Sequence, residues 1–160
     1  MVTDGVTELT KVSGSDASLE LLAGTLQVTN KDKKAEVAVG ELNTAAGTTL
    51  KADKLTVSST TEVADIKGNL DVTTKAEFKG KAKLSGQNTL AAVDFKDNAS
   101  ITAGKTTVKG DLNLTDNKQL SVIGGAALDV KTLKAGGTGT KIFVGQSRMS
   151  LMVLTVLVAY

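Results

Sequence analysis

The sequence predicts an all-β protein, a sandwich or solenoid-like stack of Gly/Thr/Val-rich strands. Three observations carry this. First, residues 64–84 alternate almost without a break. Ala64, Ile66, Gly68, Leu70, Val72, Thr74, Ala76, Phe78, Gly80, Ala82 and Leu84 are apolar or small, while Asp65, Lys67, Asn69, Asp71, Thr73, Lys75, Glu77, Lys79, Lys81 and Lys83 are polar. A period of two sends one set inward and the other into water. Second, Thr, Val and Gly are abundant, and these residues disfavour helix interiors. Third, turn signals recur at short, even intervals, as in all-β folds.

The strands follow in order. They are expected near 19–29, 35–42, 48–58, 62–73, 75–85, 89–95, 99–103, 106–114, 119–123, 127–134, 141–145 and 150–159. Between them lie Asn30-Lys31-Asp32, Ala46-Gly47, Ser85-Gly86-Gln87-Asn88, Lys96-Asp97-Asn98, Thr115-Asp116-Asn117, Gly124-Gly125 and Gly136-Gly137-Thr138-Gly139. These are residues that tolerate turn geometry. Only Leu19-Glu20-Leu21-Leu22 would pass for helix, and Thr25-Leu26-Gln27-Val28 beside it favours a strand. Extended at about 3.3 Å per residue, the 64–84 run would reach roughly 70 Å. Strands are seldom so long. The chain must bend with its inner face kept inside, and Gly68 and Gly80 are the natural places.

An internal repeat of the form apolar-Lys-Gly-polar-apolar-polar-apolar occurs three times. Its copies are Ile66–Val72, Phe78–Leu84 and Val108–Leu114. The second copy starts 12 residues after the first (66 to 78) and the third 30 after the second (78 to 108). A solenoid repeat keeps a fixed period, so the copies mark recurring strand units without defining a coil.

The 160 residues divide into a β-rich domain over 1–145 and an apolar C-terminal strand or arm over 146–160. Met149 to Tyr160 is apolar on both faces and preceded by Arg148. It is too short for a membrane helix, which needs about 20 residues. Three readings stay open: a central strand of the same domain, an arm buried against neighbouring subunits, and a membrane anchor. Left bare, the segment would promote aggregation.

Composition narrows the chemistry. The chain has no His, Cys, Trp or Pro, one Tyr and three Phe. Thiolate metal sites, disulfides, imidazole bases and Ser-His-Asp or Cys-His arrangements are therefore excluded. Carboxylate pairs or a Ser-Lys dyad remain possible, but no spacing favours them, so we expect no enzyme activity and no cofactor. With 19 basic and 17 acidic residues the net charge is +2, which gives no nucleic-acid signal. Aromatic platforms for single strands are lacking too. The core must be aliphatic and thin, and subunit association would supplement it. Met1–Val6 shows neither a basic region nor an apolar stretch, so synthesis and folding in the cytoplasm are expected.

Individual motifs read as structure. Gly136-Gly137-Thr138-Gly139-Thr140-Lys141 lacks the Gly-Lys-Ser/Thr end of a phosphate loop, because Ile142 follows Lys141; it reads as a glycine turn. Lys75, Glu77, Lys79, Lys81 and Lys83 read as a solvated row with edge-protecting lysines, or alternatively as a dock for an acidic partner. Asp111, Asp116 and Asn117 lack calcium-loop spacing. Asn98-Ala99-Ser100 and Asn113-Leu114-Thr115 match the glycosylation acceptor pattern, which is common by chance.

Ile66–Thr74 and Ile101–Leu112 resemble the Gly-x-Leu-x-Val/Leu-Thr stretches of bacteriophage virion proteins, especially tail fibres of phages that infect cyanobacteria. The resemblance spans roughly residues 45–135 and carries no catalytic or binding residue. It implies a β-rich, usually trimeric particle component: a fibre, a spike or a capsid cement (decoration) protein. The implied partners are the chain itself, as a homotrimer, and other virion proteins such as a major capsid protein. Neither nucleic acid nor membrane is implied, and the location would be the virion, assembled in the host cytoplasm. Phe95-Lys96-Asp97-Asn98 and Gly124-Gly125-Ala126-Ala127-Leu128 are similar to motifs repeated in chlamydial autotransporter passengers. That would imply a fragment of a β-helical cell-surface adhesin binding host ligand or glycan. A small glycan-active β-solenoid enzyme is a third reading.

Overall fold

In the computed structural model, which describes residues 5–156, the chain winds into a parallel β-solenoid of about seven turns. Strands account for 64% of it, and no helix occurs among the described residues. The strands are β1 (Val6–Glu8), β2 (Lys11–Leu21), β3 (Thr25–Val28), β4 (Glu36–Thr44), β5 (Thr49–Val57), β6 (Ala64–Ile66), β7 (Asn69–Phe78) and β8 (Ala82–Leu84). They continue as β9 (Asn88–Leu90), β10 (Val93–Phe95), β11 (Ala99–Ile101), β12 (Lys105–Leu114), β13 (Gln119–Val122), β14 (Ala127–Ala135), β15 (Lys141–Val144) and β16 (Arg148–Val156).

Every pairing is parallel, and the pairs fall into three stacks. Face one stacks β1, β3, the first half of β5, the first half of β7, β9, and the first halves of β12, β14 and β16. Face two stacks the first halves of β2 and β4, the second halves of β5 and β7, β10, and the second halves of β12, β14 and β16. Face three stacks the remaining halves of β2 and β4 with β6, β8, β11, β13 and β15. The chain visits faces one, two and three in turn and begins again.

The interior is built from columns of like residues. Val39, Val57, Phe78, Phe95, Leu114 and Ala135 follow one another on face two. Thr44, Ile66, Leu84, Ile101 and Val122 do so on face three. All are buried. One chain alone therefore encloses the thin aliphatic core expected from composition. Most inward polar groups are paired, as burial demands, while Thr140 Oγ1 is buried without a partner. Asn88 Oδ1 accepts from the Leu70 amide at 3.0 Å and its Nδ2 donates to Thr106 Oγ1 at 3.1 Å. Thr44 Oγ1 accepts from the Gly68 amide at 3.0 Å.

The 64–84 run bends at Gly68 and Gly80, as its alternation requires, and supplies β6, β7 and β8. All its even positions are buried except Thr74, which sits at the corner between faces one and two. The division expected near Thr74 is wrong: β7 runs through it, and the breaks fall at the two glycines. The three repeat copies occupy three different corners. Val108–Leu114 turns from face one to two, Phe78–Leu84 from two to three, and Ile66–Val72 from three to one. The repeat is a corner unit, so its spacing carries no coil period. The coil step itself varies, from 17 residues between Phe78 and Phe95 to 25 between Val12 and Val37.

The last expected strand is corrected as well. β16 pairs with β14 along its length but has no described strand on its other edge, and residues 151–156 are exposed rather than buried on both faces. Met1–Asp4 and residues 157–160 of the apolar tail lie outside the described residues.

Candidate functional site

Two carboxylates are buried, and both have structural partners. Asp53 stands where β5 turns from face one to face two. Its Oδ2 accepts from the amides of Asn30 (2.8 Å) and Ala35 (3.1 Å), and its Oδ1 from the Thr73 hydroxyl (2.5 Å). The segment 29–35 is thereby closed over the corner, and Thr74 Oγ1 ties it to the next coil through Lys33 O at 3.0 Å. Burial opposes charge on Asp53, but the Thr73 hydroxyl, the two amides and nearby Lys33 outweigh it and hold its carboxyl below the usual range. Asp94 on face two receives the Lys75 ammonium at 2.7 Å and the Asn113 amide at 2.7 Å. Burial again opposes the charge, and these two donors prevail, so its carboxyl also titrates low. The bond to Asp94 raises the Lys75 ammonium in turn, against the cost of burial. Neither acid faces a second carboxylate or a nucleophile across a cleft.

The sequence did not single out either acid, although one signal was present. Inward residues of β5 are Leu50 and Ala52, then Leu55 and Val57. The alternation changes phase at Asp53, and such a phase change marks a corner.

The glycine turn 136–141 packs on the preceding coil. The Gly139 amide donates to Asp116 Oδ1 at 3.1 Å, so the anion held by this loop is the chain's own carboxylate. Asp111 pairs with Lys134 at 2.8 Å. No group of three or more metal-ligating residues occurs among the described residues. Asn113 donates its amide to Asp94, while Asn98 is exposed and accepts from the Gln119 amide at 2.8 Å. Along the lysine row, Lys75 is committed to Asp94, whereas Lys79, Lys81 and Lys83 are exposed on the outer surface.

Two surfaces remain for interaction. One is the outside of face three, a shallow depression of about 330 Å³ lined by lysine, serine and amide side chains, among them Lys81, Lys83, Asn98, Ser100, Gln119 and Ser121. The other is the C-terminal end of the stack, where β15 and β16 expose Phe143, Val144, Met152, Val153, Leu154 and Val156. No helix among the described residues is long and apolar enough to cross a membrane.

Fold and surfaces together define an all-β parallel solenoid with a bare apolar C-terminal end. No family model matches the chain, and no match was found among curated proteins or solved structures.

Proposed function

We propose that this protein is a non-enzymatic structural component of a virus particle, stabilising or decorating the capsid or forming a fibre through self-association. The observation that supports the reading most is the contrast between a sealed shaft and an apolar end. Several acids and lysines along the shaft tie corners and neighbouring coils, as in Asp53 and the Lys75–Asp94 pair. Most of the large exposed apolar side chains among the described residues lie on the final coil, and an exposed apolar patch of that kind marks an association surface. Partners in this reading are further copies of the chain and a major capsid protein.

The outer surface of face three supports a second reading. Its ammonium, hydroxyl and amide groups on a flat shaft suit an extended polar ligand, which fits a fragment of a cell-surface adhesin binding host ligand or glycan. Fractionation separates the two. Lysates of the source culture are resolved into density-banded particles, envelopes and soluble protein, and probed with an antibody to the chain. Recovery with banded particles is the expected result. Recovery in envelopes alone overturns the particle reading in favour of the adhesin.

A further inference from the structure

On all three faces the last coil ends in a strand edge with no described neighbour. The inward columns continue into it. Ile142 follows Leu120, Val144 follows Val122, Leu151 follows Val130, Leu154 follows Leu133 and Val156 follows Ala135. The earlier residue in each pair is buried; the later one is exposed, up to 55% for Leu154, because no described residue lies beneath it. An edge with free backbone donors and acceptors above an apolar layer is a template for another strand.

We infer that this end receives the N-terminal coil of a second copy, so that faces one and two continue head to tail with parallel strands in the same register. The inference rests on the self-association reading above and names the partner surface. Its basis is complementarity of register and of charge. Extending the columns of faces one and two by one coil sets Leu154 against Val12, while face three, which ends one strand earlier at β15, is left one strand short at the junction. The same extension sets Val156 against Gly14, and Leu151 against Leu9, which is 44% exposed. Apart from Met149, which falls against Thr7, each inward contact so formed is apolar on both sides. The outward positions carry opposite charge. The first coil, 5–22, holds Glu8, Asp16 and Glu20 against Lys11; the last coil, 141–156, holds Lys141 and Arg148 and no acid. In the continued register of face one Ser150 meets Glu8, which puts Arg148 diagonal to Glu8. Such opposite-charge neighbours favour one pairing over others.

Two other arrangements fit less well. A tail-to-tail pair would bring Lys141 and Arg148 against their own copies. A trimer packed side by side along the shaft would leave the apolar end bare. A heterologous contact of the head-to-tail kind does not close, so the product is an open series of rods.

The test uses the full chain and two variants, Leu154→Asp and Leu9→Asp. Both side chains are already exposed, so neither substitution buries a charge in the monomer. Sedimentation and native mass spectrometry across a hundredfold concentration range should show the wild type as a growing series of integer multiples. Each variant alone should be monomeric, because one end of every junction is damaged. Mixed, they should form a dimer and nothing longer, since the mixture contains one intact head and one intact tail. If L154D does not fold, Arg148→Glu with Glu8→Lys supplies the same test by charge, each single change weakening assembly and the pair restoring it. L9D dimers without added L154D would establish tail-to-tail pairing and overturn the proposal. Trimers of both variants, or a wild type monomeric at every concentration, would overturn it as well. Particle association of a monomeric chain would leave the structural reading standing while the junction fails.

Discussion

Phe78 and Phe95 are register partners on face two, and their rings stack with centroids 5.7 Å apart at 23°. Both are at most 1% exposed. In a chain with so few aromatics, this pair supplies the two rings of an otherwise aliphatic column. Phe78→Ala should cost about 3–5 kcal/mol of unfolding free energy, the usual range for a fully buried Phe. Lys79→Ala, one position on and exposed, should stay within about 0.5 kcal/mol. A double-mutant cycle between Phe78 and Phe95 should return a coupling of about 0.5–1.5 kcal/mol. Denaturant melts of the four proteins measure all three quantities, and equal costs at 78 and 79 would mean that the face assignment is inverted.

Gly86 and Gly104 form a column at the corner between faces three and one, each with the carbonyl of the glycine one coil earlier, Gly68 or Gly86, where a Cβ would sit. The obstruction is backbone, which cannot swing aside. Gly86→Ala should therefore destabilise by about 1–3 kcal/mol through overpacking, and Gly104→Ala by more, because Gly104 also has a φ of +65°. Gly125 offers a control: it too has positive φ, but nothing stands near its missing Cβ. Thermal unfolding should rank the three variants Gly104, Gly86, Gly125 from largest loss to smallest.

Acid should weaken the fold through Asp53 and Asp94. Both carboxyls titrate below their ordinary value in the folded chain. The stability they contribute is therefore complete above the unfolded value of about 4 and is lost as pH falls through the lower folded values. Asp53→Asn keeps the shape but turns an amide toward donors that need an acceptor. It should cost about 1–3 kcal/mol at neutral pH and flatten the decline of stability below pH 4. Urea melts from pH 7 down to pH 2 measure both effects; an undiminished acid slope in the variant would assign the acid sensitivity to other groups.

How much of this was legible depends on phase. Between Val72 and Ala76 the corner spans an even number of steps, so the inward set stays even and the 64–84 run reads as one ribbon. Between Ala52 and Leu55, Val39 and Leu42, or Val130 and Leu133 the step is odd. The inward set changes parity, and the strands expected at 35–42, 48–58 and 127–134 hide a corner each. The coil itself could not be read, because its step changes with every loop, such as the 29–35 segment closed by Asp53. The last coil misled for a different reason. Continuous apolarity signals burial on both sides, but the sequence does not say which molecule provides the second side.

Removing residues 149–160 tests the end of the stack from the other direction. The deletion takes most of β16 from beneath β14, with Met149, which packs on the core. Leu128, Val130 and Leu133, now buried, would become the bare inner layer of faces one and two. The truncation therefore moves the apolar end up by one strand on these faces and does not abolish it. It also removes Leu151, Leu154 and Val156, the inward residues of faces one and two that a second copy would match. The truncated chain should keep a β-dominated circular dichroism spectrum, lose the regular series of multiples, and pass into polydisperse aggregates at concentrations where the full chain is soluble. Light scattering and native mass spectrometry of the two proteins side by side decide it. A truncated chain that remains a clean monomer would show that an apolar layer at this end does not by itself drive association, and an unchanged series of multiples would place the junction elsewhere on the shaft.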